Sequence, residues 1–398
     1  MSVISDKVQK SLSGASLVRK MFEEGNRLSK IYGADKVYDF SLGNPGNEPP
    51  VKFKENLKKL ADNPIPGMHR YMSNAGYPET RQAVADVIAE ASGLSVTMEH
   101  VVMTVGAGGG LNVVLKSILN PADEVIVLVP YFGEYKFYTD NHGGVLKEVS
   151  TDDNFMPDIK AIESAINEKT RAIIINSPNN PTGVIYPADI LAELGNLINS
   201  KSKQYGRPIY VISDEPYAKI AYDDVVVPNV FKYIDNSIIV TSHSKDLALP
   251  GERIGYIAAS PKIKEVDLLV AAMVFCNRVL GFVNAPALMQ RLVADLQLES
   301  VNIAEYQEKR DLLYNGLVDL GFEVIKPQGA FYLFPKSPLA DDVEFSNIAM
   351  KYNILLVPGS GYGKPGYFRL SYCVDKKVIE NSLPAWKQLA EELGLKKN

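Results

Sequence analysis

The sequence predicts an α/β protein: a large three-layer αβα domain built on a mainly parallel sheet, followed by a smaller α+β domain. Through the middle of the chain, short β-rich apolar runs alternate with longer helical patterns. This alternation indicates parallel strands covered by helices on both faces. From about Ala285 onward, long helical stretches are interrupted by few strands. The length of 398 residues is enough for roughly two or three domains.

Several of the apolar runs are apolar almost throughout, as strands buried on both faces should be. The predicted strands are Val101–Val105, Glu124–Pro130, Ala172–Asn176, Ile209–Asp214, Ile238–Ser242 and Ile254–Ala259. The helical patterns between them include Leu111–Leu119, Ile159–Asn167 and Ala188–Ser202. We expect residues 1–50 to form an N-terminal arm and part of the small domain, residues 51–285 the large domain, and residues 286–398 the small C-terminal domain.

Composition limits the classes of function. A formal charge of -5 and a pI near 5.6 argue against a nucleic-acid or anionic-membrane partner. Residues 1–17 lack the apolar core of a secretion signal, and no stretch of 18 apolar residues is present. The two cysteines and four histidines are scattered without metal-ligand spacing, so no metal site is expected. These features predict a cytoplasmic protein.

Lys245 is the candidate reactive group. A lysine at the end of an apolar strand, flanked by small hydroxyls, is partly desolvated, which lowers its pKa and frees its amine as a nucleophile. Taken alone, Lys245 is more simply a solvated surface lysine. However, Ser242 precedes it by three positions and Arg253 follows by eight, between Gly251 and Gly255. This combination suits an anion held beside a reactive amine.

Two further clusters follow predicted strands, where ligands bind in sheets of this kind. Gly106–Gly110 precedes a helical pattern, and backbone N–H groups at a helix start bind phosphate. Taken alone, the glycines are more simply a tight strand-to-helix turn. Asp214 ends an apolar run, and its carboxylate is either a turn cap before Pro216 or a buried anion that needs a cationic partner. Tyr217 lies three residues further on.

The string Asn176–Gly183 is the most distinctive in the chain and by itself indicates a rigid turn. Together with Ser213–Tyr217 and Ser242–Lys245, in this order and at these spacings, it resembles the signature series of the class I/II aminotransferases. These are pyridoxal-phosphate (PLP) enzymes of fold type I, similar to aspartate aminotransferase. The resemblance spans almost the whole chain, since it also includes Gly43-Asn44-Pro45, Gly251, Arg253, Gly255, Tyr256, Gly329–Tyr332 and Phe368–Ser371.

The resemblance implies a role for each matched residue. Lys245 would carry PLP as a Schiff base and, once the substrate releases it, shuttle a proton between the substrate and the cofactor. Asp214 would pair with the pyridine nitrogen, while Tyr217 and Asn180 would contact the phenolic oxygen. Residues 51–285 would then be the PLP-binding domain. Further cofactor contacts would come from Gly106, Ala107, Gly108, Ser242, Ser244 and Arg253, from Phe132 stacked on the ring, and from Tyr71 of the partner subunit. Phe132 is equally consistent with an ordinary core aromatic.

The resemblance also implies a substrate site. Arg369 would hold the substrate carboxylate in a bidentate pair, assisted by Asn180 and the Gly43 backbone. Without the resemblance, the strand-like surroundings of Arg369 support this role only mildly, and the alternative is an edge-strand arginine that faces water. Arg278 is a hypothesis for reading a second carboxylate across a subunit interface, although a solvated helix arginine is the simpler interpretation. We expect the segment Ser13–Met21 to cover the pocket.

The implied reaction is a ping-pong transfer of an amino group from an L-amino acid to a 2-oxo acid, in a homodimer with shared sites. The sequence leaves open whether the donor is aspartate, alanine, an aromatic amino acid or another. A PLP-dependent lyase, decarboxylase or acyltransferase on the same fold is one alternative. A non-catalytic regulator that senses PLP is another, but it would carry an N-terminal DNA-binding module, for which the roughly 40 residues before Gly43 leave little room.

Overall fold

The computed structural model describes residues 3–13, 23–25, 27, 28, 30, 31, 33 and 36–395. The predicted pocket cover, Ser13–Met21, falls almost wholly outside these residues. Within them, no helix has the length and apolar character needed to cross a membrane.

The strands, numbered in chain order over the described residues, are β1 Tyr38–Asp39, β2 Val101–Thr104, β3 Glu124–Val129, β4 Val145–Ser150, β5 Thr170–Asn176, β6 Tyr210–Asp214, β7 Ser237–Ser242, β8 Gly255–Ala259, β9 Tyr332–Leu333, β10 Ile354–Leu355, β11 Val357–Pro358 and β12 Phe368–Ser371. The α-helices are Asp6–Ser13, Val51–Asp62, Pro78–Ser92, Gly106–Ile118, Glu134–Asn141, Ile159–Ala165, Ala188–Tyr205, His243–Asp246, Val266–Val279, Ala287–Ala294, Ile303–Asp319, Asp342–Met350 and Lys376–Glu392.

A seven-stranded sheet in the order β2-β8-β7-β6-β5-β3-β4 forms the centre of the large domain. Its strands pair in parallel except at β8, which is antiparallel to both β2 and β7. The six predicted strands are confirmed to within two residues at their ends. The edge strand β4 was not predicted, because its sequence carries Lys147 and Glu148 and exposes much of its length.

Neighbouring residues on the central strands face opposite layers of the fold. On β5, Ile173 and Ile175 pack in one apolar core, whereas Ala172 and Ile174 pack in another on the other face of the sheet. Because strand side chains alternate in direction, a strand covered on both faces must be apolar at nearly every position. The uninterrupted apolar runs in the sequence therefore indicate strands that are covered by a layer on each face.

The glycine-rich segment is the first turn of a helix, which begins at Gly106 rather than at the predicted Leu111. A Cβ added at Gly110 would lie 2.7 Å from Cγ1 of Val240 on β7, so the glycines let this helix approach the sheet closely. Close packing thus outweighs the poor helix propensity of glycine.

A separate core contains Trp386, Phe322 and Phe368, together with Phe40 from the N-terminal part of the chain. It packs against an antiparallel sheet in the order β11-β12-β9, and β1 pairs in parallel with β10 nearby. Leu292 and other residues just past 285 share the first large-domain core. The domain limits 1–50, 51–285 and 286–398 remain predictions.

Candidate active site

A cavity of about 690 Å³ opens where β5, β6 and β7 end. The carboxyl ends of parallel strands meet at one edge of a sheet, so the loops that follow them converge there. The cavity brings together most of the residues singled out from the sequence. They are Gly43, Ala107, Gly108, Phe132, Asn180, Asp214, Tyr217, Ser242, Ser244, Lys245, Arg253 and Arg369.

Lys245 lies on the four-residue helix His243–Asp246, directly after β7. Its Nζ donates a hydrogen bond of 2.6 Å to the Gly43 carbonyl oxygen. Burial lowers the pKa of Lys245 to about 8; the cations Arg369 and Arg253 act in the same direction, while Cys373 opposes them. At pH 7 about a tenth of the amine is therefore unprotonated, far more than for an ordinary lysine with a pKa near 10.5, and this fraction is the nucleophile.

Asp214 ends β6 and is only 5% exposed, at the cavity surface. The Tyr135 hydroxyl donates to Oδ2 at 2.6 Å, whereas Oδ1 is buried without a hydrogen-bond partner among the described residues. Burial raises the pKa of Asp214 to about 7, against the lowering effect of the Tyr135 hydrogen bond. A buried carboxylate oxygen without a partner is costly, so this site suits a ligand that brings a cationic donor.

The start of the helix Gly106–Ile118 forms an anion-binding corner of the cavity. A Cβ added at Gly106, whose φ is +68°, would lie 2.6 Å from Nη2 of Arg253, so this glycine makes room for the guanidinium. The Ser242 hydroxyl donates to the Ser244 hydroxyl at 3.0 Å, and both residues line the cavity. Helix-start N–H groups, an arginine and two hydroxyls are the donors that a phosphate needs.

Arg369 lies on β12, the middle strand of the small sheet, and is 4% exposed. The interpretation as a water-facing edge arginine is therefore wrong. Its Nη1 donates to Asn180 Oδ1 at 3.1 Å and its Nη2 to the Ser41 carbonyl at 2.5 Å, while Nε is buried without a partner in the described part of the chain. The guanidinium also stacks over Tyr332, 4.6 Å from the ring centroid. A fixed, buried cation that lines the cavity suits a carboxylate ligand.

Tyr71 and Arg278 do not line this cavity. Tyr71 is 89% exposed and lines a second cavity of about 630 Å³ together with Phe282. Arg278 is exposed on the helix Val266–Val279, 5.5 Å from the ring centroid of Phe275. Any contact of Tyr71 or Arg278 with a ligand in the main cavity would have to be made in another copy of the chain.

The comparisons with known proteins agree with this geometry. The sequence model described as aminotransferase class I and II matches residues 35–385. The chain belongs to this family. It is 32% identical to the aspartate/prephenate aminotransferase of Thermus thermophilus, over 91% of this chain and 92% of that protein. It is also 32% identical to an aspartate aminotransferase of Pyrococcus horikoshii, over 92% of each.

Solved structures match the fold of this family member over nearly its full length. An amino transferase from Eubacterium rectale superposes with a TM-score of 0.95 at 39% identity, covering 98% of this chain and 99% of the other. The aspartate aminotransferase of Thermus thermophilus with maleate gives 0.85 at 27% identity, covering 98% and 100%. The predicted fold class is confirmed as the α/β fold type I of the PLP-dependent transferases, and the chain is an aminotransferase enzyme.

Sequence reasoning missed several aromatic residues in or beside the cavity. Tyr332 was quoted only as part of a motif, yet its hydroxyl lies 2.9 Å from that of Tyr217. Tyr135 supports Asp214, while Tyr138 and Tyr362 line the cavity. The spacing of Tyr135 and Tyr138 on one short helix after Phe132 was a usable signal. Nothing in the sequence, however, placed that helix beside Asp214.

Proposed function

We propose that this aminotransferase uses PLP, with Lys245 as the amine that carries the cofactor, and that it moves an amino group from an L-amino acid to a 2-oxo acid. One observation supports this most strongly: Lys245, whose pKa is lowered, lines the same cavity as Asp214, whose buried Oδ1 has no hydrogen-bond partner among the residues that the structure describes. The Asp214 carboxylate could pair with the protonated pyridine nitrogen of PLP, and the Lys245 amine could condense with its aldehyde. When bound, PLP supplies an electron sink for charge that develops at the substrate α-carbon.

The other cavity residues would hold the cofactor at defined points. Asp214 keeps a positive charge on the ring nitrogen, and Tyr135 fixes the carboxylate orientation from the other side. Tyr217 and Asn180 would contact the phenolic oxygen, and Phe132 would cover one ring face. The corner formed by Ala107, Gly108, Ser242, Ser244 and Arg253, with Gly106 behind it, would receive the phosphate.

Arg369 would hold the α-carboxylate of the amino acid, since its position is fixed by Asn180 and the Ser41 carbonyl before any ligand arrives. Such preorganisation lowers the entropic cost of orienting the substrate. Lys245 lies close to this region, hydrogen-bonded to Gly43. Once freed from the cofactor, its amine would take the proton from the substrate α-carbon and deliver it to the cofactor side.

Aspartate is the amino donor that we propose first, because the relatives from Thermus thermophilus and Pyrococcus horikoshii carry aspartate in their names. Its second carboxylate would be read by Arg278 across a dimer interface. Aspartate, alanine and aromatic donors should be compared in the wild type, Arg278→Ala and Arg278→Lys. If aspartate turnover survives the alanine change, the proposed role of Arg278 is wrong.

A homodimer with shared sites is part of the proposal. The exposed Tyr71 and the apolar side chains of Leu268, Phe275 and Val279 on one helix support it, since monomers seldom leave such groups in water. Sedimentation should give twice the chain mass, and Tyr71→Phe should weaken PLP binding. We also propose a cytoplasmic location, supported by two buried free cysteines and tested by cell fractionation.

Two measurements test the proposed function. Borohydride treatment of PLP-saturated protein, followed by peptide mapping, should modify Lys245, and an unmodified Lys245 would refute the assignment. Single amino acids added to the PLP-loaded protein should convert the cofactor spectrum to the pyridoxamine form, and a 2-oxo acid should restore it. Failure of that recovery would favour a lyase, decarboxylase or acyltransferase. Lys245→Ala should abolish both signals, whereas Lys262→Ala, which removes a surface ion pair with Asp235, should keep both.

A further inference from the structure

We infer that the Tyr138 hydroxyl is an additional ligand of the cofactor phosphate and fills the space that a side chain at position 108 would otherwise occupy. The inference rests on the proposed function, because it requires the phosphate end of PLP in the corner formed by Ala107, Gly108, Ser242, Ser244 and Arg253.

Tyr138 lies on the helix Glu134–Asn141 and lines the cavity. A Cβ added at Gly108 would lie 3.0 Å from the Tyr138 hydroxyl oxygen and 3.7 Å from Cζ of the same ring. The phenol oxygen therefore sits directly against the first turn of the helix Gly106–Ile118, where backbone N–H groups are free to bind an anion. A residue larger than glycine at position 108 would push this hydroxyl away.

The hydroxyl of Tyr138 is free to serve a ligand. Of the three tyrosines between positions 131 and 138, two already donate their hydroxyls to carboxylates: Tyr131 to Glu148 at 2.6 Å and Tyr135 to Asp214 at 2.6 Å. No hydrogen bond of the Tyr138 hydroxyl is found among the described residues. A half-buried phenol that faces a cavity without a protein partner is accounted for by a ligand that accepts its hydrogen bond.

The charge state of Tyr138 fits the same role. Burial, with Glu134 and Asp214 adding to it and Arg253 opposing, raises the pKa of Tyr138 to about 12. The phenol thus stays protonated at neutral pH and can donate to a phosphate oxygen. Arg253, whose guanidinium lies against Gly106, would supply the positive charge on the other side of the same anion.

The first experiment compares PLP with pyridoxal, which lacks the phosphate, in the wild type and Tyr138→Phe. Equilibrium titration of the apoprotein should show PLP binding about tenfold weaker in the variant, as expected for one lost hydrogen bond to a charged group, with pyridoxal affinity unchanged. Tyr131→Phe is the matched control. It removes another hydroxyl from the lining of the cavity, but this hydroxyl already donates to Glu148. It should leave the ratio of PLP to pyridoxal affinity as in the wild type.

A rescue variant separates a lost ligand from a general disturbance. Tyr138→Phe removes the hydroxyl oxygen that lies 3.0 Å from a Cβ added at Gly108. The ring carbon Cζ then remains at 3.7 Å, an ordinary contact, so Gly108→Ser fits in the Tyr138→Phe background. The hydroxyl introduced by Gly108→Ser would lie in the proposed phosphate corner. It should restore most of the PLP affinity without changing the affinity for pyridoxal.

The outcomes distinguish this inference from the proposed function. If wild-type protein does not bind PLP, the proposed function fails and the inference falls with it. If wild-type protein binds PLP but Tyr138→Phe binds it equally well, or weakens PLP and pyridoxal to the same extent, only the role of Tyr138 is overturned. Loss of affinity for PLP alone, recovered by Gly108→Ser, supports it.

Discussion

The buried carboxylate of Asp214 should make the cofactor-free protein less stable as the pH rises. Its pKa of about 7 in the fold, against an ordinary 3.8, means that the folded state holds a proton which the unfolded chain has released. Stability from this group is fully present below about pH 4 and is lost as pH rises through about 7. At about 1.4 kcal/mol for each pKa unit, the loss amounts to about 4 kcal/mol.

Asp214→Asn isolates this contribution, because the amide keeps the shape and can still accept from Tyr135 but does not ionise. Urea unfolding of both apoproteins between about pH 4 and 8 should show the wild type losing about 4 kcal/mol relative to the variant. Glu215 has a pKa that burial also raises to about 7, but it is present in both proteins and its effect largely cancels. A difference between the two proteins that does not depend on pH would refute the reasoning.

The cofactor should remove this penalty. In the proposed function, a protonated pyridine nitrogen would pair with Asp214 and stabilise the carboxylate. Saturation with PLP should therefore flatten the pH dependence of wild-type unfolding but not that of Asp214→Asn. An analogue with carbon in place of the ring nitrogen is the control, since it fills the cavity without supplying the cation. If that analogue flattens the profile as well as PLP does, the nitrogen is not the partner of Asp214.

The remaining predictions concern Arg369, Lys245 and Gly183. Arg369→Lys keeps the charge but loses the bidentate contact, so steady-state kinetics should show KM for the amino acid raised about tenfold or more with a smaller change in kcat; an unchanged KM would place the carboxylate elsewhere. Because the pKa of Lys245 is lowered to about 8, its unprotonated fraction grows with pH, and stopped-flow rates of PLP addition to the apoprotein should rise between about pH 7 and 9; a flat profile would contradict this. Gly183 has a φ of +72°, and a Cβ added there would lie 2.3 Å from the Cβ of Pro327. Gly206 has a φ of +65°, but a Cβ added there would have no atom of the described residues within 4 Å, its chain neighbours aside. Gly183→Ala should therefore lose about 1–3 kcal/mol more in urea unfolding than Gly206→Ala, and equal losses would mean that the contact relaxes freely.

The central sheet was the part of the fold that the sequence predicted best. Strands such as β5 and β6 are apolar along nearly their full length, and in a chain of alternating elements that pattern is typical of parallel strands covered on both faces. The edge strand β4 lacks the pattern because only part of its surface is covered. The antiparallel direction of β8 was also not predicted, since an apolar run carries no information about its own direction.

For the candidate site, too, the sequence predicted the residues that lie in local motifs but not those whose position depends on tertiary packing. Lys245, Asp214 and Asn180 could be predicted as site residues because each lies in a short string whose neighbours share its chemistry, and all three line the cavity. Tyr138 was missed because its significance depends on Gly108, a residue 30 positions away that contacts it only through the packing of two helices.

The sequence alone determined the layered α/β class and the family, because these depend on local strings and on the apolar pattern of single elements. Only the tertiary structure decided that Arg369 is buried on a middle strand, that one oxygen of Asp214 has no partner within the described chain, and that Tyr71 and Arg278 lie outside the cavity. Burial and unsatisfied hydrogen bonds are properties of surfaces that meet after folding. Burial and hydrogen bonding depend on which residues, far apart in the chain, come into contact in the fold, and no single segment of the sequence specifies those contacts.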